Sequence, residues 1–322
     1  MRNSIKLAAA VLALAFGLAH AQSWPTKPVT MINPFAPGGG VDAFGRPLGA
    51  YLSKTLGQQF IVENMAGAGG TVGAANAARR PADGYNFFLG AVHHTIAESL
   101  YTRLPYSLER DFVPITVIAY VPNVVVVHPK HTQLNSVREL IAYAKANPGK
   151  LNFGSAGNGT THHLAGELFK TMTGVEITHI PYKGAGPMMQ DLMAGQVDMA
   201  FDGMATSAPQ IKAGKLKALA VTTANRSFAT PNVPTMQEAG VPGYIVTTWY
   251  ALWGVRGSPK EALERIHQES VKAMQSPELK LVWESQGATA GGESPEEFAK
   301  LVKTEIAKWA KVVKDSGAKV DN

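Results

Sequence analysis

The chain is predicted to be an α/β protein of two lobes around a cleft, and three observations lead there. Short apolar runs alternate with helical segments through glycine-rich joints, the signature of a mostly parallel sheet. The alternation comes as two series, one starting at Pro28 and one near Asn123. Two long amphipathic stretches, 259–275 and 295–316, then end the chain without strands of their own, so they must return to a sheet built earlier.

The first residues are read separately. Met1-Arg-Asn-Ser-Ile-Lys6, an apolar run over 7–18 and Ala19-His20-Ala21 form the positive, apolar and small-x-small regions of a secretory leader, so residues 1–21 are expected to be a signal peptide cut after Ala21. The run is shorter than the ~20 apolar residues of a spanning helix. A soluble, periplasmic protein is therefore expected. About 300 residues remain, enough for two medium cores without covalent staples.

In the first series, 29–35 reads as a buried strand, Ala36-Pro-Gly-Gly-Gly40 as a joint and 41–56 as a helix. Residues 59–63 form the next strand, 65–70 a glycine-rich loop, 71–79 a helix and 85–90 a third strand. The second series runs through a strand at 124–128, a helix at 136–146 stopped by Asn147-Pro-Gly149, a strand at 151–153, a loop at 154–159 and a helix at 160–172. It continues with a strand at 176–182, a loop at 183–186, a helix opened by Pro187 and stopped by Gly195, and strands at 197–201 and 216–222. An aromatic extended segment over 245–255, with Trp249, Tyr250 and Trp253, precedes the last helices. If those helices pack on the first lobe, the chain crosses between lobes twice, near 121–125 and 243–248. Lobe one is then 22–123 with 246–322 and lobe two is 124–245, and two crossings make a hinge.

Composition removes several classes of function. With no cysteine there are no disulfides, thiolate metal sites or cysteine nucleophile. Without Arg2 and Lys6 of the leader, 28 basic residues stand against 24 acidic, a charge of +4 spread along solvated helix faces. No dense basic patch exists for nucleic acid. A mild positive field suits small anions.

Three glycine-rich strand-to-helix junctions, 37–42, 67–71 and 154–161, carry the chemistry. Ligands of open α/β sheets sit beyond the carboxyl ends of strands, where helix N-termini expose unpaired N–H groups. Gly67-Ala-Gly-Gly-Thr71 lacks the lysine of a phosphate loop, and no junction spells the dinucleotide fingerprint. A hydrolase would need Ser155 with a histidine, yet Gly154-Ser-Ala-Gly157 is not a nucleophile elbow. Adjacent histidines on a helix point about 100° apart, so His93-His94 and His162-His163 read as packing, capping or cleft-lining groups and no metal site is expected. Asp42 reads as a helix-start cap. Asp202 reads equally as a ligand contact or a turn former, and Trp249 as core or cleft wall. The helix starting at Thr160 is the favoured anion receptor, with the Thr160 hydroxyl as an added donor.

At these same residues the chain resembles the Bug family, the extracytoplasmic receptors of tripartite tricarboxylate transporters. The resemblance rests on Asn33-Pro-Phe-Ala-Pro-Gly-Gly-Gly-Val-Asp42, Glu63-Asn-Met-Ala-Gly-Ala-Gly-Gly-Thr71, Gly154-Ser-Ala-Gly-Asn-Gly-Thr160 with His163-Leu-Ala-Gly-Glu-Leu-Phe169, and His179-Ile-Pro-Tyr-Lys-Gly184 with Gly195-Gln-Val-Asp198. It implies a type II-like, Venus-flytrap periplasmic-binding-protein fold that holds a ligand carboxylate between the lobes. By position, the implied ligand binders are Phe35, Ala36, Gly38 and Gly39 from lobe one and Ser155, Gly157, Thr160, Lys183, Gly184 and Asp202 from lobe two. It further implies a monomer without cofactor or catalysis that delivers an organic acid, dicarboxylate or aromatic acid to membrane permease subunits. A secreted α/β hydrolase using Ser155 and a histidine, and a ligand sensor for a signalling partner, are the alternatives.

Overall fold

The computed structural model describes residues 24–316, so the leader expected at 1–21 lies outside the described residues. The chain runs β1 (Val29–Asn33), α1 (Gly40–Leu56), β2 (Phe60–Asn64), α2 (Thr71–Ala78), β3 (Asn86–Ala91), α3 (His93–Leu100) and α4 (Leu108–Asp111) into a long strand, β4 (Phe112–Val127). The second series is α5 (Val137–Ala146), β5 (Asn152–Ser155), α6 (Thr161–Thr173), β6 (Thr178–Pro181), α7 (Ala185–Met193), β7 (Met199–Gly203), α8 (Met204–Lys212) and β8 (Lys217–Val221). β9 (Thr247–Val255), α9 (Lys260–Gln275), α10 (Pro277–Ser285), β10 (Thr289–Ala290) and α11 (Pro295–Ser316) complete it.

The strands join in the order β2-β1-β3-β9-β4-β7-β5-β6, with β8 and β10 also on β4. β1 is parallel to β2 and β3, and β5 is parallel to β6 and β7, as the alternation of strands and helices requires. β9 and β4 are antiparallel to their neighbours. Within β4, Phe112–Pro122 pair with β9, whereas Asn123–Val127 pair with β7 and β8. The sequence reading expected only 124–128 of this strand. Its prolines concealed the rest: the ladder register shifts just after Pro114, and the partner changes just after Pro122, so each proline sits where ladder pairing is already interrupted.

α1 buries Phe44, Leu48 and Leu52 with Met31, Phe87 and Leu89. Phe153, Phe169, Phe201 and Tyr244 fill the second half. α11 lays Phe298, Val302 and Trp309 on Ile96, Val117, Trp249 and Trp253, so Trp249 is core and not cleft wall. Two corrections concern helices. α7 starts two residues before Pro187, which still occupies the first turn, where a missing N–H costs nothing. α3, α8 and α10 were not anticipated; α8 carries Pro209, and Ser276 caps α10 directly after α9 stops.

The strand segments that pass between the halves lie side by side, with Val121 opposite Thr248 and Pro122 opposite Thr247. A buried polar knot ties them. The Thr248 hydroxyl donates to Asn123 Oδ1 at 2.8 Å and lies 2.8 Å from the Thr161 hydroxyl, while Asn123 Nδ2 donates to the Phe201 carbonyl at 3.3 Å. The Thr222 amide donates to the Asn123 carbonyl at 2.9 Å. Asn123, Thr161, Thr222 and Thr248 are fully buried. Asn123→Ala removes an acceptor of the Thr248 hydroxyl and the side-chain donor to the Phe201 carbonyl, and should lower unfolding stability by about 1–3 kcal/mol. Urea denaturation checks this, and an unchanged midpoint would show the knot to be energetically idle.

Candidate functional site

The loop after β1 is held by its own carboxylate. Asp42, in the first turn of α1, accepts from the Gly38 amide and from Asn33 Nδ2, each at 2.7 Å, and forms an ion pair with Arg46, whose Nε lies 3.2 Å away. It is a loop clamp, in line with the capping role expected of it. The amides of Gly40 and Val41 begin α1 and have no intrahelical carbonyl to bind. Gly40 carries no side chain because the Tyr250 hydroxyl covers it, 2.1 Å from where a Cβ would stand.

The two halves touch across this loop. The Ala36 amide donates to the Lys183 carbonyl at 3.0 Å. A Cβ on Gly39 would lie 3.5 Å from the Ala185 amide nitrogen, and one on Gly186 would lie 2.1 Å from the Pro37 carbonyl oxygen. At the second contact, a Cβ on Gly69 would meet the Asn158 carbonyl at 2.1 Å. The N-termini of α1 and α7 therefore point at each other through glycines. Between the halves lies a cavity of about 20 Å³, counted as space open to the centre of a water-sized sphere. Phe35, Ala36, Gly39, Gly40, Val41, His93, Ala156, His162, Ala185 and Tyr250 line it with Asn33 and Asp42, and no lysine or arginine is present. A groove of about 520 Å³ beside Phe228 and Trp283 is far larger, yet none of the three glycine-rich loops lines it. The chemistry of the lining, rather than its size, marks the site.

The residues expected to bind divide into two groups. Phe35, Ala36 and Gly39 line the cavity, and Gly184 adjoins it, its Cβ position 3.1 Å from the Ala36 amide. Gly38 spends its amide on Asp42. Ser155, Gly157 and Thr160 form a backing layer: Ser155 Oγ accepts from the Gly157 amide at 3.0 Å, and the Thr160 hydroxyl donates to the Gly157 carbonyl at 2.7 Å while capping the His163 amide at 3.4 Å. The Thr160 hydroxyl is thus a helix cap and not the free donor expected. In α6, the first-turn amides of Thr161 and His162 remain. Lys183 contributes its carbonyl to Ala36, and its side chain is exposed. Asp202 is fully buried, accepting from Thr206 and Ser207 at 2.5 and 2.7 Å, so the turn-forming reading holds.

Tyr250 was missed, although a signal existed. Side chains alternate across a strand, so a core-facing Trp249 sends Tyr250 to the other face. His162 and His163 diverge as helix geometry requires. His162 lines the cavity, whereas His163 stacks on His179 at 4.1 Å and accepts from the Gly159 amide at 3.1 Å.

Ser155 does meet a histidine: its Oγ lies 2.6 Å from His179 Nε2. The serine is fully buried, and burial, with His163 and Lys170 nearby, pushes the His179 imidazole down to about 3. No carboxylate is seen to orient that ring among its described hydrogen bonds. Such a pair is a packing hydrogen bond rather than a nucleophile and base.

A family model for the tripartite tricarboxylate transporter receptor matches residues 45–318. The chain belongs to this family. The receptor is 37% identical to BugT of Bordetella pertussis over 302 residues, 93% of this chain and 92% of that one. An R. palustris protein solved with adipate is 40% identical, with a TM-score of 0.89 over 92% of this chain and 100% of that chain. MatC of Rhodopseudomonas palustris, solved with malate, is 32% identical, with a TM-score of 0.86 over 90% and 100%. The receptor therefore has the two-lobed periplasmic-binding-protein fold, and the Bug resemblance of its motifs is borne out. Members of the family bind and do not catalyse, so the hydrolase alternative falls. Among the described residues no helix is long and apolar enough to cross a membrane.

The receptor's buried histidines make its stability depend on pH. Burial lowers His93, His162 and His163, takes His94 to about 4 and, with its charged neighbours, His179 to about 3. Against about 6.5 in the unfolded chain, each prefers to be neutral in the fold. The unfolded chain then binds more protons below that value, so their contribution is complete above it and is lost as pH falls from 6.5 towards 4. Urea midpoints between pH 7 and 4 should fall accordingly. His179→Gln, which keeps a polar partner for Ser155 without titrating, should flatten the slope; an unchanged slope would exclude His179 as a source.

Proposed function

We propose that the protein is a periplasmic receptor that captures a small carboxylate-bearing molecule between its lobes and delivers it to membrane permease subunits of the tripartite tricarboxylate type. Residues 1–21 serve as its cleaved leader. Lobe one is 22–123 with 246–322, lobe two is 124–245, and the protein works as a monomer without a cofactor. One observation carries the reading: the N-termini of α1, α6 and α7 converge on a single cavity lined by no lysine or arginine. Helix amides and their dipoles stabilise an anion there without the desolvation cost of a buried cation. The relatives solved with adipate and malate support the same class of ligand.

The ligand carboxylate takes the amides of Gly40 and Val41 from lobe one and of Ala185 and Gly186 from lobe two. Phe35 and Ala36 cover it, with Gly38, Ser155, Gly157 and Thr160 holding the loops, Lys183 and Gly184 completing the rim and Asp202 fixing β7 to α8. About 20 Å³ admits one or two waters and no diacid, so the lobes part at the Asn123–Thr248 crossing to load. Amides from both lobes reach one anion only on closing, and that difference in affinity drives closure.

Thermal shift with short mono- and dicarboxylates tests the class. A ligand at 100 times its dissociation constant adds about 2.7 kcal/mol of stability; the acid should raise the melting temperature and its methyl ester should not. Equal binding of acid and ester would end the carboxylate reading. Gly186→Ala should hold the lobes apart through the Pro37 carbonyl, weakening binding at least tenfold and enlarging the radius of gyration by small-angle scattering. Parent-like affinity would overturn the closing step.

A further inference from the structure

The second contact between the halves, away from the cavity, is made by a turn in an unusual conformation. Residues 67–70 all have positive φ: +152° at Gly67, +44° at Ala68, +61° at Gly69 and +94° at Gly70. Ala68 is the one non-glycine residue with a positive φ among the described residues. Its Cβ crowds the backbone in that region, so the conformation persists only where other contacts hold it. Three hydrogen bonds do so. The Ala68 carbonyl accepts from the Thr71 hydroxyl and from the Tyr101 hydroxyl, each at 2.9 Å, and the Gly70 amide donates to the Gly67 carbonyl at 2.9 Å.

The turn held in this way meets the loop 156–160 of the second half. The Asn158 carbonyl oxygen lies 2.1 Å from where a Cβ on Gly69 would stand, and the Cα and amide nitrogen of Gly69 lie 3.3 and 3.4 Å from the Cβ position of Gly157. Beside it, Leu100 Cδ2 and Tyr101 Cε2 lie 2.7 and 3.7 Å from the Cβ position of Gly159. Tyr101 therefore serves both sides: its hydroxyl pins the turn on its own half, and its ring edge faces the opposite loop. That loop is fixed in turn, because the Gly159 amide donates to His163 Nδ1 at 3.1 Å and the Gly157 amide to Ser155 Oγ at 3.0 Å. None of these residues lines the cavity. A contact made only when the halves meet favours the closed arrangement by its own free energy, whatever the cavity holds.

We propose that the turn 67–70 and Tyr101 form a clasp that keeps the two halves together without touching the captured molecule, with Tyr101 as its positioning residue. This rests on the reading above that capture closes the lobes, and it adds where release is controlled. The clasp forms after the molecule has entered, so it slows dissociation and leaves association nearly unchanged. Because it lies outside the cavity, it acts by the same factor on every molecule the cleft accepts.

The absence of cysteine makes a direct test available. Lys54→Cys on α1 and Lys145→Cys on α5, both exposed and on opposite halves, carry spin labels whose separation follows the lobes. Electron-resonance distance measurements are made on the full chain, free and with excess adipate or succinate. Gly69→Ala, whose Cβ meets the Asn158 carbonyl, and Tyr101→Phe, which loses only the hydroxyl, should each shift the distribution to longer distances. Stopped-flow kinetics should show both acids leaving at least tenfold faster from Gly69→Ala and about threefold faster from Tyr101→Phe, with association within twofold of the parent. The double variant should release no faster than Gly69→Ala, since both changes act on one contact. Parent-like distances in either variant, or release factors that differ more than threefold between the two acids, overturn the clasp while the carboxylate reading stands. If neither acid binds the folded parent, the carboxylate reading fails for them, and the distances in the free protein decide the clasp alone.

Discussion

The architecture depends on one shared strand. β4 belongs to two sheet regions, and its partner changes at Pro122–Asn123, beside the second crossing at Thr247–Thr248. The side-chain amide of Asn123 reaches both the returning strand, at Thr248, and the second half, at the Phe201 carbonyl. Because Thr248 also meets Thr161, the crossing connects directly to the first residue of α6. The returning strand, the partner change in β4 and the start of α6 are thereby tied to one buried polar cluster.

That geometry explains the glycines. Anion recognition by backbone amides demands approach distances that a Cβ would forbid, and Gly39, Gly69 and Gly186 stand where the halves come closest. Gly69 also needs its left-handed φ of +61°, which glycine adopts without strain. The surrounding hydroxyls and Asp42 are consumed within their own loops. They shape the loops, and the amides they leave unpaired are the donors of the proposed site.

Much of this was legible in the sequence because alternation and glycine punctuation are local signals. The strands of both series, the role of Asp42 and the three glycine-rich strand-to-helix junctions all follow from patterns within a few residues. What escaped depends on contacts far apart in the chain. The full length of β4 was hidden by Pro114 and Pro122, which are tolerated only because the ladder shifts or changes partner beside them. Thr160 has the right position and residue type for a free donor, and only the fold reveals that the Gly157 carbonyl has claimed it. Tyr250 reaches the cavity because Gly40, more than two hundred residues earlier, leaves it room.

A site without lysine or arginine obtains its selectivity from distance. A buried cation would attract any anion from afar, whereas amide dipoles fall off within about a helical turn, so under the proposed function they would engage only a carboxylate seated between both lobes. The cavity is lined by backbone, apolar groups, His93, His162, Tyr250, Asn33 and Asp42, and its volume matches one or two waters.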